Sequence, residues 1–289
     1  MSFSSDVKED LSKLSNLANK EVVKYELIGY LISNNAVYKN GKITYTTENE
    51  YNINRFSKLL SNMNISNYKI EIKGNNYTII TPKIDNMEEI SYKDEDIEIE
   101  NIESKEENLK AIIRGAFLGG GSVNNPDNKY HLEIILSTEK NVKTIIEILK
   151  LFTIQVKELT RKNGYSIYIK DGEEISKLLA LVGASNAVLK FEEIRVLRDM
   201  KNSVNRKVNC ETANLSKTVN AAVKQIEAIE YLKKIGEFET LSDTLKEIAN
   251  LRLENPDASL IELSQMLKNP IGKSGVNHRL NKIIELAEK

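Results

Sequence analysis

Two apolar segments have the spacing of short helices whose ends could hold catalytic groups. They are residues 27–36 and 113–122, and each has a central glycine, Gly29 or Gly115, where a second backbone could approach closely. Carboxylates at the ends of two such paired helices would hold the divalent cations that metal-dependent phosphodiester hydrolysis needs. The final residues here are neutral: Asn34-Asn35 and Gly120-Gly121. Because amides and bare glycine bind magnesium poorly, the sequence predicts no cleavage of DNA.

A competing interpretation is that a nearby acid replaces the missing carboxylates. The candidates are Glu26, Glu48, Glu133 and Glu139. Glutamates are common on protein surfaces, where they are usually only solvated, so we expect no catalytic residue. The remaining groups that could bind metal are His131, His278 and Cys210, and no nucleophile or ligand pattern surrounds them. The sequence therefore predicts no metal site and no cofactor.

The tripeptide Gly272-Lys273-Ser274 resembles the end of a phosphate-binding loop, but the full pattern is missing. That pattern requires a glycine five residues before Gly272, and Leu267 occupies the position. No strand pattern precedes it either. A lysine and a serine at the start of a helix suit a DNA phosphate much better, because free amides and the helix dipole favour an anion there.

The last part of the chain has the pattern of a helix-turn-helix. Ser242, Ser259 and Ser274 are each placed to cap a helix, the first over residues 244–253 and the second over 260–267. The final helix has an apolar stripe of Val276, Leu280, Ile283 and Ile284, with polar residues off it. The predicted DNA contacts are Lys273, Ser274, Asn277, His278, Arg279 and Lys282. We expect Lys273 and Ser274 to hold the backbone, and Asn277 and Arg279 to reach base edges.

The two glycine-centred segments belong to an internal repeat in which each copy reads helix, strands, helix, hairpin. We expect the two α+β halves to pair their helices and merge their sheets. The predicted organisation is a repeated domain over 1–200 (repeats at about 21–84 and 108–200, joined by a connector at 85–107), a linker and helix over 201–236, and an all-α helix-turn-helix domain over 237–289. Within the linker, residues 205–214 are polar and have no clear periodicity.

Charge is distributed unevenly although the net charge is only −1. Residues 85–107 are strongly acidic, which indicates either a solvated connector or a negative flap that repels nucleic acid, whereas residues 190–234 are rich in lysine and arginine. The lysines predicted on the strands either form one basic face that binds DNA phosphates or are scattered and serve only solubility, and the sequence leaves both possibilities open. The members of that basic face would be Lys39, Lys42, Lys69, Lys73, Lys157, Arg161, Lys162 and Lys170. The single cysteine and the lack of an apolar run of about 18 residues predict a cytoplasmic protein with no membrane partner.

The repeated segments resemble the LAGLIDADG motif of homing endonucleases, with Gly29 and Gly115 at its central glycine. In that register the catalytic acidic position falls on Asn34 and Gly120. Three further stretches make the likeness specific: 209–214 (NCETAN), 255–259 (NPDAS) and 272–280 (GKSGVNHRL). Together they resemble the WhiA family of sporulation and cell-division regulators of Gram-positive bacteria, over nearly the whole chain.

The resemblance implies a sequence-specific, DNA-binding transcriptional regulator of sporulation, cell division or chromosome segregation, associated with the nucleoid. It implies a degenerate LAGLIDADG domain without nuclease activity and a C-terminal helix-turn-helix like that of sigma-factor region four. The partners would be double-stranded promoter DNA and a protein co-regulator, such as a WhiB-type iron–sulfur protein, and no small-molecule substrate. The rival functions are an active LAGLIDADG endonuclease and a protein-binding scaffold.

Overall fold

The computed structural model describes residues 2–85, 87–103, 105–161 and 164–288, without the side chain of Arg161. The chain divides into two compact units, Met1–Asp199 and Met200–Lys289. The first unit is α+β and the second is all-helical, as the sequence predicts.

The first unit contains an N-terminal helix followed by the two repeats. Its elements are α1 (Phe3–Ser12), α2 (Lys20–Leu31), β1 (Ala36–Lys39), β2 (Lys42–Thr47), α3 (Glu50–Asn62), β3 (Lys69–Lys73), β4 (Asn76–Pro82), β5 (Ile90–Lys93), β6 (Asp96–Ile99), α4 (Glu106–Gly120), β7 (Gly121–Val123), β8 (Leu132–Leu136), α5 (Glu139–Leu151), β9 (Lys157–Arg161), β10 (Gly164–Ile169) and α6 (Gly172–Val182). Each repeat therefore has the order helix, two strands, helix, two strands.

The helices α2 and α4 pack against each other at their central glycines. A Cβ on Gly29 would lie 2.2 Å from the backbone oxygen of Ile112, and one on Gly115 would lie 2.0 Å from that of Glu26. Any side chain at either position would push the helices apart. The expected close approach of two backbones is confirmed.

The two repeats form separate antiparallel sheets with the same strand order, β1-β2-β4-β3 and β7-β8-β10-β9. The expectation that the two repeats merge their sheets is therefore wrong: each repeat forms its own sheet. Strand β7 pairs with β8 only as far as Ile134. The rest of β8 bonds to the segment after α2: Ser137 N donates to Ile32 O at 3.1 Å, and Asn34 N donates to Ile135 O at 3.3 Å. An isolated bridge joins Ser33 of the first repeat to Leu136 of the second.

The acidic connector is structured over most of its described length. Strands β5 and β6 form an antiparallel hairpin, and the hairpin buries Ile90, Ile97 and Ile99 in the core of the first unit. Its turn bonds to the edge of the first sheet, where Tyr38 N donates to Glu95 O at 2.9 Å. A purely solvated connector is therefore the wrong interpretation, because alternate residues of each short strand are apolar and pack inward.

A single helix of 50 residues, α7 (Ser185–Lys234), occupies the stretch for which the sequence predicts a polar interruption. Residues 205–214 are helical and all exposed. They contain neither glycine nor proline, so nothing breaks the backbone hydrogen bonds. Their missing periodicity reflects the absence of a buried face rather than the absence of a helix. Gly236, with φ of 79°, follows the helix as predicted.

The second unit is completed by three helices, α8 (Asp243–Glu254), α9 (Leu260–Met266) and α10 (Lys273–Ala287). They surround their own core, to which α7 contributes Ile229 and Leu232. Ser259 caps α9 as predicted, in a capping box in which its hydroxyl accepts from Glu262 N and its own N–H donates to the Glu262 carboxylate.

Candidate nucleic-acid interface

Helix α10 has one buried face and one free face, as a recognition helix requires. Val276, Leu280 and Ile283 are fully buried in the core of the second unit. These residues recur at spacings of three and four, so they share one side of the helix. The predicted contact residues lie on the remaining surface, and α8 and α9 support the helix from behind.

The start of α10 differs from the prediction. Gly272, not Ser274, is the N-cap residue, and its carbonyl accepts from Gly275 N at 2.8 Å and Val276 N at 3.2 Å. Ser274 therefore lies inside the first turn and caps nothing. The turn before the helix is held from α9, because the Ser264 hydroxyl donates to the carbonyl of Ile271. This bond fixes where the chain enters α10, and it links residues that no local sequence rule connects.

The structure places the six predicted contact residues on or near the free face of α10. Lys273, Ser274, Asn277, His278 and Lys282 are exposed, and Arg279 is half-buried. Lys282 Nζ lies 3.5 Å from a carboxylate oxygen of Glu285 on the same helix. Within the described part of the chain, the other cations of the set have no carboxylate within 4 Å. The side chains of Lys273 and Arg279 are thus available to an anion or a base.

Lys273 and Asn277 also line a cavity of about 240 Å³ that lies between α10 and helix α7. None of its lining residues is acidic. They are Lys217, Thr218, Ala221, Ala222, Gln225, Arg252, Ser259, Leu260, Ile261, Lys273 and Asn277. The cavity therefore brings together positive side chains from three helices without a neutralising carboxylate.

Arg252 is the buried cation of this cavity, with 2% of its surface exposed. Its Nη1 donates to the carbonyl oxygen of Ala258 at 2.7 Å and to that of Pro256 at 3.2 Å, which fixes the turn between α8 and α9. Burial lowers the pKa of its guanidinium. Its Nε and the Oε1 of the neighbouring Gln225 are buried and have no hydrogen-bond partner within the described protein.

No local pattern in the sequence predicts Arg252, Gln225 or Lys217 as site residues. They come from distant positions in the chain, and Lys217 is one of many cations in the basic region 190–234. The proline-containing turn after α8 was the one local signal near Arg252, because an arginine in a last helical turn can bond the carbonyls that follow it.

The ends of α2 and α4 form the site where a nuclease of this architecture would hold its carboxylates. A Cβ on Gly120 would lie 2.2 Å from the carbonyl oxygen of Ile135 and 3.1 Å from Asn34 Oδ1. Asn35 Nδ2 donates to the backbone oxygen of Gly119 at 2.7 Å, which ties the two helix ends together. The residues at the motif's acidic position, Asn34 and Gly120, are thus uncharged in both repeats. At Gly120 the surrounding atoms also leave no room for a side chain.

Glu26 is not free to replace the missing acids. It is fully buried between α2, α3 and α4, where Arg55 Nε donates to Oε1 at 2.7 Å and Arg114 Nε donates to Oε2 at 2.8 Å. Burial by itself would raise the pKa of this carboxyl. The hydrogen bonds and charges of Arg55 and Arg114 outweigh burial and lower the pKa. Glu26 is therefore an ionised structural carboxylate whose oxygens are occupied.

The other three candidate acids lie in different surroundings. Glu139 is exposed at the start of α5, with its carboxylate 2.5 Å from Lys143 Nζ, and buried Glu133 lies 3.8 Å from His131 Nε2. Glu48 is exposed and lines a cavity beside the helix ends, which it shares with Lys8. Burial lowers the pKa of Lys8 to about 8. Below that pH, the ammonium group of Lys8 opposes the binding of a divalent cation there.

The proposed basic face of the sheets is partly neutralised. Lys39 Nζ lies 2.5 Å from Glu95, and Lys73 Nζ lies 3.8 Å from Glu71. Lys157 and Lys170 line a cavity together with three acids, Asp171, Glu173 and Glu174. Lys162 and the side chain of Arg161 lie outside the described residues. Among the residues that are described, no cluster of three histidine, cysteine or acidic side chains could hold a metal, and no helix is long and apolar enough to span a membrane.

Two family models match the chain in these same two regions. The model of the WhiA LAGLIDADG-like domain matches residues 109–201, and the model of the WhiA C-terminal HTH domain matches residues 204–287. The first match covers the second repeat, and the second covers much of α7 as well as the three final helices.

Three curated relatives named probable cell division protein WhiA match over nearly their whole length. The protein of Clostridium beijerinckii is 38% identical over 100% of this chain and 98% of the relative. The protein of Clostridium tetani is 40% identical over 100% of this chain and 98% of the relative. The protein of Desulfitobacterium hafniense is 41% identical over 100% of this chain and 96% of the relative.

Solved structures agree. The crystal structure of full-length DUF199/WhiA from Thermatoga maritima matches with a TM-score of 0.63 and 28% identity, over 100% of this chain and 98% of that one. The N-terminal LAGLIDADG domain of DUF199/WhiA matches with a TM-score of 0.52 and 23% identity, over 63% of this chain and 90% of that one, which is a likeness of fold.

Proposed function

Because the chain belongs to the WhiA family, we propose that it is a sequence-specific DNA-binding transcriptional regulator without nuclease activity. The processes that it regulates would be cell division, chromosome segregation or sporulation, through promoters on the chromosome and with a protein co-regulator. The observation that carries the proposal is the free face of α10, which presents Lys273, Asn277 and Arg279 while its other face is fixed in the core.

The roles of these side chains differ. Lys273 begins α10, where its ammonium group and the free amides of the first turn favour a phosphate. Asn277 and Arg279 follow along the same helix, and amide and guanidinium groups form bidentate hydrogen bonds with adenine and guanine edges in the major groove. Lys273 thus positions the helix and Arg279 selects the sequence.

The experiment compares Arg279→Ala with Lys273→Ala in the full-length protein, with circular dichroism as the check of folding. Binding sites are first mapped genome-wide for the wild type, and affinities are then measured on the recovered site and on its single-base variants. Arg279→Ala should cost about 1–3 kcal/mol and relax specificity at one base pair. Lys273→Ala should weaken binding to all sequences alike. Uniform weakening by Arg279→Ala would assign Arg279 to a phosphate, and unchanged occupancy by both variants would refute the recognition helix.

Absence of cleavage is proposed on the geometry of the helix ends. Asn34 and Gly120 supply no charge, Glu26 is fully engaged with Arg55 and Arg114, and the ammonium of Lys8 lines the neighbouring cavity. None of these groups provides the paired carboxylates on which two-metal hydrolysis depends.

A further inference from the structure

Helix α7 carries a polar and cationic stripe in the part that belongs to the second unit. Its members recur at spacings of three and four residues and so share one face of the helix. We call them the α7 stripe: Arg206, Asn209, Ala213, Lys217, Asn220 and Lys224. All six are exposed. A face with three cations, two amides and one small residue is suited to an anionic surface that approaches closely.

No acid interrupts this face. Between residues 200 and 226 the one acidic residue is Glu211, which lies on the other side of the helix with Val208 and Leu215. Within the described residues, no carboxylate lies within 4 Å of Arg206, Lys217 or Lys224. Three cations on one helix face, with no acid beside them, create a positive potential that favours an external anion.

The stripe leads to the recognition helix. Lys217 and the adjacent Ala221 line the acid-free cavity whose opposite wall is formed by Lys273 and Asn277 of α10, with Arg252 buried between them. Positive side chains of α7 and α10 therefore border the same space within one compact unit. A polyanion bound by α10 at this cavity would meet no acidic residue in its lining.

We propose that the α7 stripe binds the sugar–phosphate backbone of the same DNA duplex that α10 reads, so that the footprint extends beyond the helix-turn-helix. This proposal rests on the proposed function. Lysine and arginine neutralise phosphates, and asparagine side chains donate hydrogen bonds to phosphate oxygens, without reading sequence. The stripe would therefore raise affinity for all sequences, while Arg279 sets specificity.

The test uses the full-length protein on a recovered binding site with long flanks. The variant is Lys217→Gln with Lys224→Gln, and the matched control is Lys201→Gln with Lys207→Gln, which removes the same charge from the same helix outside the stripe. Each phosphate contact contributes about 0.9 to the slope of log affinity against log salt, so the variant should lower the slope by about 2. It should also shorten the hydroxyl-radical footprint at one edge. The control should keep both.

The outcomes separate this proposal from the proposed function. If the stripe variant keeps the wild-type slope and footprint while Arg279→Ala still relaxes specificity, the stripe proposal fails and the recognition helix stands. Equal losses in the variant and the control also refute the stripe, because they assign the effect to total charge. If the wild-type protein does not bind DNA, both proposals fail.

Cys210 provides a second readout that needs no change in charge. It is the single cysteine of the chain, it is exposed, and it follows Asn209 at four residues from Arg206. Bound DNA should slow its alkylation several-fold. A thiol moved to the opposite side by Cys210→Ser with Val208→Cys should react at the same rate with and without DNA. If DNA protects both thiols equally from alkylation, or protects neither, the proposal that the α7 stripe binds DNA is refuted.

Discussion

Among single residues, Glu26 is a fully buried carboxylate at the contact between the two repeats. A carboxylate that is removed from water costs several kcal/mol unless partners replace its hydration. Arg55 and Arg114 supply hydrogen bonds to both oxygens, and Arg114 belongs to the second repeat whereas Glu26 belongs to the first. Glu26, which the sequence offers as a candidate catalytic acid, therefore holds the two repeats together through its bond to Arg114.

We expect Glu26→Gln to destabilise the protein by about 3–5 kcal/mol at neutral pH, because it leaves two buried guanidinium groups without a counterion. Since the pKa of Glu26 is lowered on folding, its stabilising effect is present above the pKa of the unfolded state and is lost as pH falls through the folded pKa. The difference between wild type and variant should therefore shrink at acid pH. Urea unfolding between pH 7 and pH 3 measures the free energy of unfolding of both proteins. Glu139→Gln, at an exposed position, is the control and should change that free energy little.

At the scale of elements, the pairing of the segment after α2 with strand β8 fixes the backbone around Gly120, which corresponds to the acidic position of the LAGLIDADG motif. Asn34 N and Ser137 N donate across the two repeats, and this ladder carries the Ile135 carbonyl to within 2.2 Å of where a Gly120 side chain would begin. The absence of an acid at Gly120 and the steric closure of that position are therefore consistent with each other. An acidic side chain at position 120 would require the strand to move.

We expect Gly120→Asp combined with Asn34→Asp to leave DNA uncut and to lower stability by about 1–3 kcal/mol through overpacking. Wild type and variant are incubated with supercoiled DNA that carries the binding site, in magnesium or manganese, and unfolding is followed in parallel. Ser122→Asp adds an acid at a nearby exposed position and should leave stability unchanged. Cleavage by the wild type that Glu48→Gln abolishes would show that a nuclease centre survives.

The whole molecule consists of two units with separate cores, and α7 takes part in both. The sequence predicts a linker and helix over 201–236 before an independent domain at 237–289, and that boundary stays a prediction. In the structure, Ile229 and Leu232 of α7 are buried in the core of the second unit, with 0% and 1% of their surface exposed. The last turns of α7 therefore pack as part of the helix-turn-helix core.

We accordingly expect the fragment 217–289 to fold cooperatively and the fragment 237–289 to melt at a much lower temperature. Removal of a buried leucine or isoleucine side chain costs about 2–5 kcal/mol, which a domain of this size cannot spare. Thermal unfolding followed by circular dichroism measures the difference. The longer fragment 204–289 adds only exposed turns and should match 217–289. Equal melting of all three would mean that the final helices are stable without α7.

Much of this protein could be predicted from local sequence. Spacings of a few residues predict the repeat, the paired glycines, the cap at Ser259 and the apolar stripe of α10. The candidate contact residues of α10 follow from the same stripe, because they are the polar residues off it. These features need only one helix turn or one backbone contact to be specified. The family resemblance rested on the same short stretches, and the full-length relatives confirm it.

The tertiary structure decided what depends on distant residues. It packed the acidic connector as a hairpin in the core of the first unit, paired Glu26 with two arginines, and brought Lys217, Arg252 and Lys273 around one cavity. The physical reason is that the free energy of a buried charge depends on the groups that pack around it and bond to it. Arg55 and Arg114 lie 29 and 88 residues from Glu26 along the chain, so no pattern within a short window contains all three.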